Sequence, residues 1–210
     1  NSVVISEPAL LTANCSATNI TQNGLSDGTV SVSANGGTSP YSYTWSNGAT
    51  TSSAAGLTAG SYTVIVTDAN QCSVECTSIV NEPGVLSLNI ATIELTCYNA
   101  NNGQLTAQVT GGTTPYSYLW SNGNTNAVIQ NAAAATYTVT ATDAAGVSVS
   151  MSTTLTNPSE IIVNCSGTDV SCGAIPDGTL LANATGGSGS LSYLWSNGDT
   201  NSSVSNVAAG

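Results

Sequence analysis

Six cysteines and eleven carboxylates are the side chains of this chain best suited to chemistry. The cysteines are Cys15, Cys72, Cys76, Cys97, Cys165 and Cys172. A zinc site built from them has little to work with, because the chain has no histidine and no C-x-x-C pair. Disulfides suit them better, as staples of small domains in an oxidising compartment. Cys72 and Cys76 cannot staple each other: on one strand they stand roughly 13 Å apart at ~3.3 Å per residue, beyond the ~7 Å limit for a bridge. Among the carboxylates, Asp68 and Asp143 open turns while Glu7 and Glu82 precede prolines. Oxygen ligands from a turn and a linker could hold Ca²⁺ and stiffen a joint; turn capping by Asp and solvation of Glu are the competing roles. No other cofactor is expected.

Catalysis lacks its usual groups. There is no His, Lys or Arg to serve as base, Schiff-base amine or oxyanion donor. Gly24-Leu25-Ser26-Asp27-Gly28 spells G-x-S-x-G, yet a nucleophile elbow needs a strand-to-helix turn and a histidine base. The stretch reads as a turn. No carboxylate pair is placed in a cleft for glycoside chemistry, so an enzyme is not expected. The formal net charge of −11 excludes nucleic acid, whose binding depends on cations that displace counterions from phosphates. Anionic membrane surfaces are disfavoured for the same reason. No run approaches the roughly 20 apolar residues of a membrane span, and the N-terminus shows no signal-peptide pattern. Charged residues are only 5% of the chain where roughly 25% is usual. Solubility must therefore rest on Asn, Ser, Thr and backbone.

These residues are positioned by a repeat. Pro40–Gly48 (PYSYTWSNG) returns as Pro115–Gly123 (PYSYLWSNG) and as Ser190–Gly198 (SLSYLWSNG), so Trp45, Trp120 and Trp195 stand 75 residues apart. The same step relates Pro8, Pro83 and Pro158, the pairs Gly36-Gly37, Gly111-Gly112 and Gly186-Gly187, and Tyr62 with Tyr137. Solenoid units run at roughly 20–50 residues, whereas 75 residues suffice for a small domain. The expected organisation is beads on a string: 8–82, 83–157 and an incomplete third copy, 158–210. Residues 1–7 match Cys76–Glu82, the closing strand of a preceding copy.

Within a copy, Leu105, Ala107 and Val109 alternate with polar residues, as do Tyr116, Tyr118 and Trp120, and then Tyr137, Val139 and Ala141. Period two means half-buried strands. Gly-Gly, Asn-Gly and Asp143–Gly146 punctuate them as turns, and Ala132–Ala135 also reads as a turn. Ser46-Asn47-Gly48 is expected to close a hairpin, and Val147, Val149 and Met151 to form a last inward-facing strand. Six or seven short strands in about 75 residues argue an all-β chain of tandem immunoglobulin-like sandwiches. Tyr62, just after a tight turn, has the placement of a tyrosine corner, and Trp45 that of the central-strand core position. Tyr41, Tyr43 and Trp45 share one strand face. An exposed row of that kind could stack on sugars, but Leu191 replaces Tyr41 in the third copy, as a core position tolerates. Trp45, Trp120, Trp195, Tyr62 and Tyr137 are therefore expected in the core.

The stretches Asp27–Gly48 (DGTVSVSANGGTSPYSYTWSNG) and Leu57–Cys72 (LTAGSYTVIVTDANQC) resemble the SprB-type repeats of giant bacterial gliding and surface adhesins, which are close to polycystic-kidney-disease-type domains. The resemblance covers all three copies. It departs where Gly146 and Val147 replace Gln71 and Cys72, and where Leu191 replaces Tyr41. It implies an extracellular, repetitive protein of the bacterial cell surface and supplies no catalytic residue. Two roles are expected to compete: a structural stalk or filament whose repeats act as spacers, and an array of glycan-binding modules. Cys15 is expected to bridge to the last strand of its own copy, at Cys76 or Cys72. Cys15 and Cys165 are equivalent, as are Cys97 and Cys172, and Cys97 has no partner in its own copy. Because the third copy lacks its last strands, the expected partner is continuing chain or another copy donating Asn1–Glu7 by strand complementation.

Overall fold

Alternation becomes antiparallel strands in the computed structural model, which describes residues 7–172 and 175–209. In the first copy the strands are β1 (Thr12–Thr18), β2 (Gly28–Asn35), β3 (Ser42–Trp45), β4 (Ser53–Leu57), β5 (Gly60–Thr67) and β6 (Ser73–Val80). They form two three-stranded sheets, ordered β1-β2-β4 and β3-β5-β6. Val30, Val32 and Leu57 from the first sheet meet Trp45, Val64, Val66 and Val80 from the second, with Ile20 from a connecting turn, in one buried cluster. Tyr41, Tyr43, Tyr62 and the cysteines Cys15 and Cys76 pack around its margin. The copy is thus a sandwich whose inner residues are the apolar member of each alternating pair.

Two expectations need correction here. Ser46-Asn47-Gly48 does make a tight turn, with Gly48 N–H donating to the Trp45 carbonyl and Trp45 N–H to that of Ala49. No hairpin follows, however, because β3 pairs with β5 while β4 crosses to β2 in the other sheet. Trp45 also ends an edge strand rather than a central one. It is still only 2% exposed, because its ring reaches across the sandwich and its indole N–H donates to the Thr51 carbonyl at 2.9 Å.

The second copy repeats the plan with β7 (Ser87–Ile93), β8 (Gly103–Thr110), β9 (Ser117–Trp120), β10 (Val128–Ala132), β11 (Ala135–Thr142) and β12 (Ser148–Leu155), in sheets β10-β8-β7 and β12-β11-β9. Its buried positions trade volume. Val32, Leu57 and Val66 become Ala107, Ala132 and Ala141, while Val30, Ala54 and Val80 become Leu105, Ile129 and Leu155. The gains make up most of the losses, and compensating swaps of this kind are the ones cores tolerate best. Met151 does not turn inward as expected: it is 40% exposed on the edge strand β12, and the deeply buried residue of that strand is Leu155.

The third copy contributes one sheet, β13 (Ile162–Thr168), β14 (Gly178–Thr185) and β15 (Ser203–Val207), in that order. Residues 192–195, which match β3, form no strand, and Trp195 is half-buried rather than in a closed core. The positions matching β5 and β6 lie beyond residue 210, so no second sheet covers it among the described residues. The expected strand over residues 1–7 falls outside the described residues except for Glu7, which is exposed and not in a strand. Among the described residues there is no helix, and none long and apolar enough to cross a membrane.

The chain divides into two compact units, 1–88 with 109–117 and 141–149, and 89–108 with 118–140 and 150–210. The division falls inside the second copy. Each linker therefore belongs to a unit together with the segments on both of its sides.

Candidate functional site at the repeat joints

The joint is built from three short segments, all present in both the first and the second copy. The first is the turn after β1, residues 19–27. Asp27 closes it by accepting hydrogen bonds from the backbone N–H and the hydroxyl of Thr21. Asp177 does the same with Ser171 in the third copy. The hydroxyl contact is the main reason both carboxyls sit below their ordinary range, with burial opposing.

The second segment is the Gly-Gly turn with the turn before β6. Asp68 is 3% exposed and accepts from the backbone N–H of Thr38, Asn70 and Cys72, each at 2.9 Å. Asp143 is 6% exposed and accepts from Thr113, Ala145 and Val147 at 2.8–3.0 Å. In both, the N–H of Thr38 or Thr113 contributes most to lowering the pKa and burial works against it. The approach requires glycine. Gly37 has φ +58°, and a Cβ there would stand 2.8 Å from Asp68 Oδ2; Gly36 has φ +76°, and its Cβ would collide with the carbonyl oxygen of Leu10.

The third segment is the linker, and it is held from both sides. At Pro83-Gly84 the preceding copy reaches forward: Asn23 Nδ2 donates to the Pro83 carbonyl at 2.9 Å, and Gly24 N–H donates to Glu82 Oε2 at 3.2 Å. The following copy reaches back, with Gly112 N–H donating to the Gly84 carbonyl at 2.6 Å. Two side chains then join the copies directly. Gln22 Nε2 donates to the Ala145 carbonyl at 2.9 Å, and Thr113 Oγ1 to the Thr21 carbonyl at 3.2 Å. The next joint repeats three of these contacts one period on. Ser188 Oγ donates to the Thr96 carbonyl at 2.8 Å, Gly187 N–H to that of Ser159 at 2.8 Å, and Asn99 N–H to Asn157 Oδ1 at 3.2 Å. Thr113 with Thr21 and Ser188 with Thr96 share one sequence separation, 92 residues.

The expected site residues divide into those this architecture gathers and those it leaves apart. Glu82 and Asp143 both border the first joint, with Asp143 lining a cavity of about 330 Å³ alongside Gln22, Pro83 and Gly112. Both oxygens of Asp143 and one oxygen of Glu82 accept from backbone N–H donors, and among the described residues no group of three acidic, cysteine or histidine side chains is placed to hold a metal ion. Glu7 is exposed away from any such group. Of the two partners expected for Cys15, the bridge forms with Cys76, with a Cα–Cα distance of 6.0 Å. Cys72, Cys97, Cys165 and Cys172 are free and exposed. Tyr62 and Tyr137 donate their hydroxyls to the carbonyls of Thr58 and Ala133, four residues upstream, at 2.9 and 3.1 Å, the geometry of a tyrosine corner. Tyr41 and Tyr116 are half-buried, and each hydroxyl donates to a Gly-Gly turn carbonyl, Gly36 or Gly111. Tyr41 and Tyr116 thus brace the Gly-Gly turn of their copy.

Sequence reasoning missed Gln22, Asn23, Thr113 and Ser188. Their signal was present: a hydroxyl residue follows Gly-Gly in every copy, at Thr38, Thr113 and Ser188. It passed for ordinary turn composition.

Among solved structures the chain is similar to Sidekick-1 immunoglobulin domains 1-5, at 12% identity and a TM-score of 0.46, covering 87% of this chain and 46% of that one. It is also similar to surface layer protein SbsC, domains 4-9, at 15% identity and a TM-score of 0.32, covering 96% of this chain and 38% of that one. The chain thus spans less than half the length of either. No curated protein matches it. The SprB repeat model matches residues 15–50, 90–125 and 166–200, together just over half of the chain. Each window runs from the first strand of a copy, through its Gly-Gly turn, to just past its tryptophan. With the match recurring at the 75-residue step that the joints also keep, the chain belongs to the SprB repeat family.

Proposed function

We propose that this chain is a structural segment of a long extracellular bacterial surface filament or adhesin stalk, in which the repeats act as spacers. The observation that carries the reading is the linker held from both sides. A joint with free linker residues would let neighbouring copies swing, whereas here the linker is hydrogen-bonded to the copy on each side of it and the copies are tied directly by Gln22, Thr113 and Ser188. The direct contact between copies recurs at both joints with the same spacing although the residue type changes, from Thr113 to Ser188. Surface chemistry points the same way. A chain without Lys or Arg offers no trypsin site, which suits an exposed life, and its acidic, hydroxyl- and amide-rich composition has no cationic handle for nucleic acid. The inward-turned tyrosines favour the spacer over the glycan-binding array. As partners, the reading takes further copies of the repeat, in the same chain or supplied by strand complementation.

An antibody raised against the folded chain tests the location, and labelling of intact, unpermeabilised cells is the expected result. Labelling only after permeabilisation would refute it. The spacer role is tested by small-angle scattering on the 210-residue chain and on Gln22→Ala/Thr113→Val. The variant should show a broader distribution of maximum dimension than the parent, and an unchanged distribution would count against the spacer role.

A further inference from the structure

The two joints share a hydroxyl contact from the Gly-Gly turn, but the strands of the copies differ. In the first copy Cys15 on β1 is bridged to Cys76 on β6. These are the first and last strands of the copy and the edges of opposite sheets. In the second copy the same two positions hold Ile90 on β7 and Met151 on β12. In a tandem array under tension, load enters each copy through its first strand and leaves through its last. An unbridged copy carries that load on hydrogen-bond ladders and sandwich packing alone. When those yield, all 75 residues can extend. In the first copy the load passes from β1 to β6 through the sulfurs, and the 61 residue steps between the cysteines lie outside the force path.

We propose that the copies differ in mechanical function: the first is a covalently clamped, nearly inextensible link, and the second is the element that yields and lengthens under load. The array would then be a tether with a built-in length reserve. This rests on the stalk reading, since only a load-bearing chain uses such a difference. Register supports it, for Cys15 lies opposite Val32 and Cys76 opposite Val64. Val32 and Val64 both belong to the buried cluster, so the bridge closes over the core instead of joining two loose ends.

Single-molecule pulling on the whole chain, held by tags at its two ends, tests the inference. Dithiothreitol reduces the bridge by thiol–disulfide exchange, releasing two thiols as the reagent is oxidised to its own disulfide. Reduction should lengthen the total contour by about 200–220 Å, the span of the 61 withheld steps at roughly 3.3–3.6 Å each. Cys15→Ser/Cys76→Ser should show that longer contour without reductant. In the converse variant, Ile90→Cys/Met151→Cys, oxidised glutathione would take up the two electrons and two protons of the new thiol pair. The second copy should then lose an increment of the same size, recovered on reduction. An unchanged contour on reduction would overturn the clamp. Failure of the new pair to bridge would overturn the equivalence on which the contrast rests. Either result leaves the spacer reading to be judged separately by scattering.

Discussion

Trp120 is 1% exposed, and its indole N–H donates to the Asn126 carbonyl at 2.9 Å, so removing it empties the largest buried volume of the second copy and strands an acceptor. Truncating a buried Trp to Ala costs about 3–5 kcal/mol. A 75-residue unit holds about 4–11 kcal/mol in all, at roughly 0.05–0.15 kcal/mol per residue. Trp120→Ala should therefore remove most of the stability of its copy. Trp195→Ala should cost clearly less, because Trp195 is only half-buried. Urea unfolding followed by near-ultraviolet circular dichroism separates the two, and equal losses would contradict the packing described. At the same scale stand Asp68 and Asp143, whose folded pKa values lie below the ordinary 3.8. A depressed carboxyl pKa contributes stability above the unfolded value, lost as the pH falls through the folded one. Thermal midpoints should hold above about pH 4 and decline below it. Asp143→Asn should lower the midpoint at neutral pH and flatten the acid decline. Its amide must present N–H to a site that already supplies three N–H donors, which leaves some of them unmet.

At the scale of elements, the bridge between β1 and β6 and the contacts at the joint make separable contributions. Closing a loop of 61 residue steps is worth about 4 kcal/mol in the chain-entropy model. Reduction should therefore lower the stability of the first copy and leave the second, which has no bridge between its first and last strands, unchanged. The joint hydrogen bonds are worth about 0.5–1.5 kcal/mol each. Gln22→Ala with Thr113→Val should thus loosen the joint by about 1–3 kcal/mol without unfolding either copy. Most strands were legible because period-two alternation records a buried face directly, as in Val30, Val32 and their partners Ser31 and Ser33. Strand order was not. Ser46-Asn47-Gly48 has the composition of a hairpin turn, and nothing local to it encodes that β4 pairs with β2 rather than β3. The choice between Cys72 and Cys76 was equally open, because it depends on which residue of β6 comes opposite β1 across two sheets. Joint residues were hardest to see: Gln22 and Thr113 are polar groups on turns, and their partners lie 123 and 92 residues away.

For the whole molecule the governing fact is eleven carboxylates with no cationic side chain to answer them. No ion pair between side chains can hold one copy to the next, so the forces at the joints are hydrogen bonds from uncharged donors and packing, opposed by a diffuse repulsion. Salt acts on the repulsion alone. Raising ionic strength from 0.1 to 1 M shortens the screening length from about 10 to about 3 Å. Thermal stability should therefore rise slightly or stay level with added NaCl, where a surface laced with ion pairs would weaken. Calcium offers the sharper contrast. Both oxygens of Asp143 accept from the N–H groups of Thr113, Ala145 and Val147, and Oε2 of Glu82 accepts from Gly24, so a calcium ion shared by these carboxylates would first have to displace the donors on Asp143. Scattering curves in calcium, in a chelator and in sodium chloride of matched ionic strength should coincide, with any change following ionic strength rather than the ion. A stiffening specific to micromolar calcium would show that these carboxylates exchange their backbone donors for a metal, and that the joint is a switch instead of a fixed splice.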